Sequence, residues 1–332
     1  FNKLIESVIY EDDFSFASSS LYLYNLLIPD EIKNEIYQKT LFIIREGLLQ
    51  KIPFEILITE KPIITERTDW KYLLYQNPIL YNFSANFLLE KKKASIFPNS
   101  KIWAISWLNP KNPLFGAKEE INKIRKIYPL YTTVDEALEE TDFKNHVSNF
   151  GINHIATHAI LNDSAPIYSY FTLGNDSLND GNLYAYELYN LIIPAELSCL
   201  SACETGLGKD LKGDGPQSLA RAFYYAGCKN LLISKWSLPD NSTARLINFY
   251  YINLSKNENK IKALQKAKID YLNKGIRYEL SPLYWAGFEF YGNQYDLLIN
   301  KPFFVRYWKI FLLITIILSS LFAIYKIKKR PF

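Results

Sequence analysis

Methionine is absent from this sequence, and cysteine and histidine occur only three times each. A chain of 332 residues with no methionine, even at its first position Phe1, is expected to be a piece of a longer protein, with any leader or partner domain upstream. Cys199, Cys203 and Cys228 are an odd number in a chain large enough to bury its own core, which argues against a disulfide framework and leaves each thiol needing its own explanation. A strong charge of one sign is lacking too. The formal net charge is +4, but Arg306, Lys309, Lys326, Lys328, Lys329 and Arg330 all fall in the last 30 residues, and removing them leaves 32 basic against 34 acidic residues. That balance gives no basic face for nucleic acid. The stretch GLGKDLKGDG at 206–215 lacks the GK[ST] ending of a phosphate loop, so no nucleotide site is expected there. His154 and His158 are four apart, yet the Ile, Ala and Thr around them argue for a strand and no third ligand cluster accompanies them, so neither a metal nor an organic cofactor is expected. The 25 Tyr, 21 Phe and 6 Trp are interleaved with aliphatic residues, as core packing requires, rather than gathered into a stacking platform.

What is present begins at the C-terminal end. Residues Ile310 to Tyr325 read IFLLITIILSSLFAIY without a charge, and the flanks extend the run to about twenty residues, the length of a membrane span. Tyr307, Trp308 and Tyr325 stand at its ends, where amphipathic rings settle among lipid headgroups. A single-pass helix over 307–327 followed by a basic tail over 328–332 is expected. The tail KIKKR sets four cations against Lys301, Arg306 and Lys309, which favours a cytoplasmic C-terminus and an extracytoplasmic domain, while the unpaired cysteines favour the opposite.

Through the rest of the chain, short apolar runs alternate with amphipathic stretches. Strands are expected at 41–44, 103–108, 152–157, 169–173, 197–202 and 230–234, and helices at 117–127 and from Pro216 to Gly227. Uninterrupted apolar runs of this length are typical of parallel strands covered on both faces, so the fold class is α/β with a mostly parallel sheet flanked by helices.

His158 and Cys203 each follow one of these strands. The C-terminal edge of an open parallel sheet is where catalytic groups gather, and a thiolate nucleophile needs an imidazole beside it and backbone N–H groups aimed at the developing oxyanion. His146, in a polar stretch, is expected to face solvent. Cys199, inside a strand, and Cys228, at a helix end, are expected to be small buried residues.

The segments HIATHA at 154–159, LSACETG at 200–206, GDGPQSLARAFYYAGCKNLLISKW at 213–236 and ARLINFYYINL at 244–254 resemble the signature blocks of CHAT domains, relatives of caspases and separase. Upstream, GLLQKIPFEIL at 47–57 and LFGAKEEI at 114–121 resemble earlier blocks of the same family. The likeness implies a caspase-like peptidase domain over 21–298, with residues 1–20 as the end of an upstream region of helical-repeat type that regulates it. It implies His158 as base and Cys203 as nucleophile, with the backbone N–H groups of Ala159 and Cys203 forming the oxyanion hole. The family carries glycine where this chain has Ala159, which retains the N–H but not glycine's freedom at positive φ. In separase-like relatives an acidic residue near the motif matching KWSLPD reads the side chain before the cleaved bond. Asp240 takes that place here and would favour Lys or Arg, with Trp236 and Glu204 beside it as further substrate-binding candidates. Asp240 could equally cap a helix starting near Asn241, and Asp214 and Glu204 could equally be loop acids. The reading is a membrane-anchored cysteine endopeptidase acting on protein substrates. The alternative is an inactive CHAT module used as an assembly platform.

Overall fold

The structure, a computed structural model, describes residues 2–9, 12–62, 67–85, 101–107, 114–162, 164–201, 215–236, 238–256, 258–295 and 315. Residues 1–297 form one compact unit, and of the second unit, 298–332, only Thr315 is described. No helix among the described residues is long and apolar enough to cross a membrane, and the span expected at 307–327 lies outside them apart from Thr315.

The strands are β1 (Leu41–Ile44), β2 (Ile79–Asn82), β3 (Ile102–Ser106), β4 (Thr132–Asp135), β5 (Ile152–Ala156), β6 (Ala159–Ile160), β7 (Tyr170–Thr172), β8 (Asn182–Tyr184), β9 (Leu197–Leu200), β10 (Leu231–Ser234) and β11 (Phe288–Tyr291). Eight of them form one sheet in the order β1-β2-β11-β10-β9-β5-β3-β4. Every pair in it is parallel except β10 with β11, so a parallel set of five strands meets a parallel set of three running the other way. β3, β5, β9 and β10 are buried along their whole length, as their continuous apolar runs predict. The run at 169–173 does form a strand, but outside this sheet. It becomes β7, the centre of a three-stranded antiparallel sheet β6-β7-β8. Its residues alternate half-buried, buried, half-buried, the pattern of a strand with one face on the core.

Among the longer helices are α1 (Asn2–Ile9), α2 (Asp13–Leu27), α3 (Phe115–Ile127), α4 (Gly215–Tyr225), α5 (Asp240–Ser255) and α6 (Lys260–Lys274). α2 runs unbroken through residues 20 and 21, and the buried Ser20 hydroxyl donates to the Ile56 carbonyl at 2.9 Å while accepting the Ile58 N–H at 2.8 Å. α5 packs against both α3 and α6 and covers the face of the sheet that carries His154 and Cys199.

Both faces bury charge. On the α5 face, His154 Nε2 lies 3.1 Å from Glu120 Oε2 and its Nδ1 lies 3.4 Å from the Tyr251 hydroxyl, linking β5 to α3 and α5. On the opposite face, Arg45 donates to both Glu289 oxygens at 2.7 and 2.5 Å, to the Ile52 carbonyl at 2.7 Å and to the Tyr291 hydroxyl at 2.9 Å. Burial alone would raise the Glu289 carboxyl, but the Arg45 and Lys235 charges hold it below its ordinary value. Lys235 itself is lowered to about 8, because burial outweighs the attraction of Glu289 at 3.8 Å. Its ammonium donates to the Gln50 carbonyl, tying the end of β10 to the segment that follows β1.

Candidate functional site

The parallel register fixes where the two principal candidates leave the sheet. β5 and β9 are neighbours, with His154 opposite Cys199 and Ile155 opposite Leu200. The ladder continues one step further, where the Ser201 N–H donates to the Ile155 carbonyl at 2.8 Å. His158 therefore follows Ile155 by the same number of residues as Cys203 follows Leu200 in the sequence, and His158 belongs to the C-terminal edge of the sheet. Cys203, Glu204 and Asp214 lie outside the described residues.

His158 is half-buried, and its backbone is clamped to β7. Its carbonyl accepts the Thr172 N–H at 2.9 Å, and the Thr157 hydroxyl donates to the Thr172 carbonyl at 2.5 Å. In an antiparallel pair, residues that exchange hydrogen bonds alternate with residues that do not. With His158 bonded to Thr172, Ala159 stands opposite Phe171 at a non-bonded position, so its N–H turns away from β7 toward the free side of β6. Ala159 is extended and fully buried, and Gln38 is the one residue other than glycine with positive φ among those described. Alanine at 159 therefore costs this backbone nothing, since the glycine's special freedom is not used here.

Asp240 is the first residue of α5, half-buried, and its carboxylate accepts the Gly116 N–H in the first turn of α3 at 3.3 Å. The two helix starts approach so closely that a Cβ on Gly116 would lie 2.8 Å from the Asp240 Cβ and 3.0 Å from its carbonyl oxygen. Leu114 and Ala117 on either side of Gly116 pack on Ala156, which brings Asp240 to the strand end that carries His158. Asp240 thus performs a capping contact, though for the neighbouring helix rather than its own. Trp236 is committed elsewhere: its indole N–H donates to the Leu283 carbonyl at 2.9 Å, and its ring lines an apolar cavity of about 30 Å³ with Leu4, Ile52 and Ile56.

The other thiols are poor nucleophiles. Burial pushes the Cys199 thiol well above its ordinary value and the Cys228 thiol up to about 11. Cys228 also sits 3.2 Å from both the Ser198 hydroxyl and the Asn230 carbonyl. His146 is exposed, with Nδ1 2.9 Å from the Asp142 carbonyl. No cluster of three or more potential metal ligands occurs among the described residues. Two features escaped the sequence reading. Glu120 falls on the same buried stripe of α3 as Ala117, Ile121 and Ile124, and an acid at that helical spacing signals a buried partner. Ser106 and Ser201, at the ends of β3 and β9, flank Ala156 with buried hydroxyls that have no hydrogen-bond partner among the described residues.

A family model described as "CHAT domain" matches residues 19–293. Human tetratricopeptide repeat protein 28 is 23% identical over 316 aligned residues, covering 80% of this chain, and the chain spans only 12% of that relative's length. Among solved structures, the Arg specific cysteine proteinase gingipain R is similar with a TM-score of 0.51 at 10% identity, over 86% of this chain and 69% of that one. The complex of the pro- and mature domains of Porphyromonas gingivalis RgpB gives a TM-score of 0.50 at 10% identity, over 84% and 68%. The fold is therefore α/β with a mostly parallel central sheet flanked by helices, as in these cysteine proteinases.

Proposed function

Because this chain belongs to the CHAT domain family, we propose that it is a cysteine endopeptidase with Cys203 as nucleophile and His158 as its acid–base partner. The observation that supports this most is the register of the adjacent parallel strands β5 and β9, in which Ile155 pairs with Leu200 and His158 and Cys203 each follow three residues later in the sequence. In the reaction the Cys203 thiolate adds to a peptide carbonyl carbon, and the negative charge that develops on oxygen is met by the N–H groups of Ala159 and Cys203. His158 gives the proton taken from the thiol to the departing amine, the C–N bond breaks, and water then hydrolyses the thioester. The extended backbone at Ala159 weakens the case for an inactive module, which rested on the missing glycine. Asp240, at the same strand end, supplies a carboxylate suited to a Lys or Arg side chain before the cleaved bond.

The regulatory and topological parts of the proposal rest on sequence. Attachment through 307–327 would confine cleavage to proteins at the same membrane, and a region upstream would hold the switch. The test is a comparison of newly formed protein N-termini in cells carrying the wild-type chain and the Cys203→Ala variant. New termini after basic residues that vanish in the variant are expected, and identical sets of termini would sink the proposal.

A further inference from the structure

The short sheet that follows His158 has two unlike faces. On one, Ala159, Phe171 and Leu183 stand in a cross-strand row, all buried, and Phe171 meets Phe223 of α4 edge to face at 6.0 Å. Side chains alternate along a strand, so His158 and Ile160 share the other face. The row through His158 continues to Thr172 and Asn182, and the next row is Ile160, Tyr170 and Tyr184. The aromatic surface extends beyond the sheet. The Tyr170 and Tyr184 rings lie 5.0 Å apart, Tyr184 stacks on Tyr186 at 5.2 Å, and Tyr186 meets Tyr168 at 5.9 Å. Ile160 is 41% exposed, Tyr168 51% and Tyr186 43%. A contiguous apolar patch built from rings already in contact is unusual on a solvent face, and tyrosines lose little conformational freedom on binding.

We propose that this tyrosine row receives the substrate segment on the leaving-group side of the cleaved bond and selects an aromatic or large aliphatic side chain there. The inference rests on the peptidase reading for its choice of occupant. A histidine that protonates the departing amine must stand beside the first residue after the bond, and the same face carries the row onward from that histidine. Two residues of strand separate His158 from Ile160, about 7 Å at 3.3 Å per residue, which is also the span of two residues of extended substrate. The preference therefore falls on the second or third residue after the cleaved bond. The row shares the backbone clamp between His158 and Thr172, so it is rigidly attached to the acid–base group it serves.

The experiment uses the full chain in detergent and three peptides with one Arg. Two are internally quenched and differ only by Phe or Ser at both the second and third positions after Arg, and the third ends in a fluorophore amide directly on Arg. Half-burial of one aromatic side chain predicts that wild type favours Phe over Ser by about five- to ten-fold in kcat/KM. The triple variant Ile160→Ser, Tyr168→Ser, Tyr186→Ser is expected to lose that preference while cleaving the fluorophore amide at the wild-type rate. An unchanged Phe to Ser ratio, or an equal slowing of the fluorophore amide, would overturn the assignment. Binding of the intact peptides to Cys203→Ala protein, measured by fluorescence anisotropy, separates the two claims. Phe-selective binding that disappears in the triple variant supports the surface even where wild type cleaves nothing, which would sink only the peptidase reading. Equal binding of the Phe and Ser peptides overturns the surface.

Discussion

Replacing Arg45 by methionine removes the cation that holds Glu289 in the core. The Arg45 side chain is 3% exposed and Glu289 is fully buried, and the pair is bidentate. Without it, Glu289 retains the Tyr291 hydroxyl at 2.9 Å and Lys235 at 3.8 Å, while the Ile52 carbonyl and the face of the Tyr81 ring, 3.8 Å from the guanidinium, lose their partner. Breaking a buried pair from one side costs about 3–5 kcal/mol, because an uncompensated charge is left behind. At roughly 2–4 °C per kcal/mol for a domain of this size, that is a fall in Tm of about 6–20 °C. The pH dependence should change sign. In the wild type the Glu289 carboxyl is depressed, so its contribution is present above the ordinary value of 4.5 and is lost as pH falls through the lower folded value. In Arg45→Met, burial without the guanidinium raises that carboxyl, so the variant suffers most at neutral pH and approaches the wild type near pH 4. Arg45→Met with Glu289→Gln should recover much of the loss, since no buried charge is then abandoned. Differential scanning fluorimetry across pH 4–8 reads all three proteins. A single variant within about 1 kcal/mol of wild type, or a double variant no better than the single, would refute the reasoning.

Three further outcomes are expected. Gly116→Ala places a methyl 2.8 Å from the Asp240 Cβ and should cost about 1–3 kcal/mol by thermal melting, and an unchanged Tm would mean that α3 and α5 are not held so closely. Lys235 is lowered from 10.5 to about 8, so between pH 8 and 9.5 the unfolded chain binds the proton that the folded chain has released, and stability should rise with pH relative to Lys235→Met by up to about 1.4 kcal/mol per unit. Parallel pH profiles for the two proteins would contradict the burial of that ammonium. Cys199 and Cys228, both buried with raised thiols, should resist iodoacetamide in the native protein and react in urea, and mass spectrometry showing native labelling of either would contradict their placement.

Much of the fold was legible because doubly covered parallel strands announce themselves as apolar runs. LFII, INHIAT, LSCLSA and NLLIS all fall in the central sheet, and the helix expected from Ile121, Ile124 and Ile127 runs from Phe115 to Ile127. Two of the strands that were not recognised lack that signal. β4 (TTVD) is an edge strand with no fully buried residue, and β11 (FEFY) places Glu289 inside an aromatic run, a pattern explained chiefly by Arg45, 244 residues away. The reversed direction of β11 was illegible for the same reason, since pairing across such separations leaves no local trace. At the site, the strand-end position of His158 could be read from periodicity, whereas the contact between Asp240 and Gly116 joins residues 124 apart. The doubt attached to Ala159 came from glycine's general freedom, and it resolves once β6 is known to be extended.

The central claim is that Cys203 and His158 act together on a peptide bond. The most direct measurement is kcat/KM for an internally quenched peptide with a single Arg, using purified wild type, Cys203→Ala, His158→Ala and the double variant. Members of one catalytic unit are strongly non-additive, so each single variant should lose at least about 10³-fold and the double variant little more than the worse single. Cleavage retained at the wild-type rate by Cys203→Ala or His158→Ala would contradict the account.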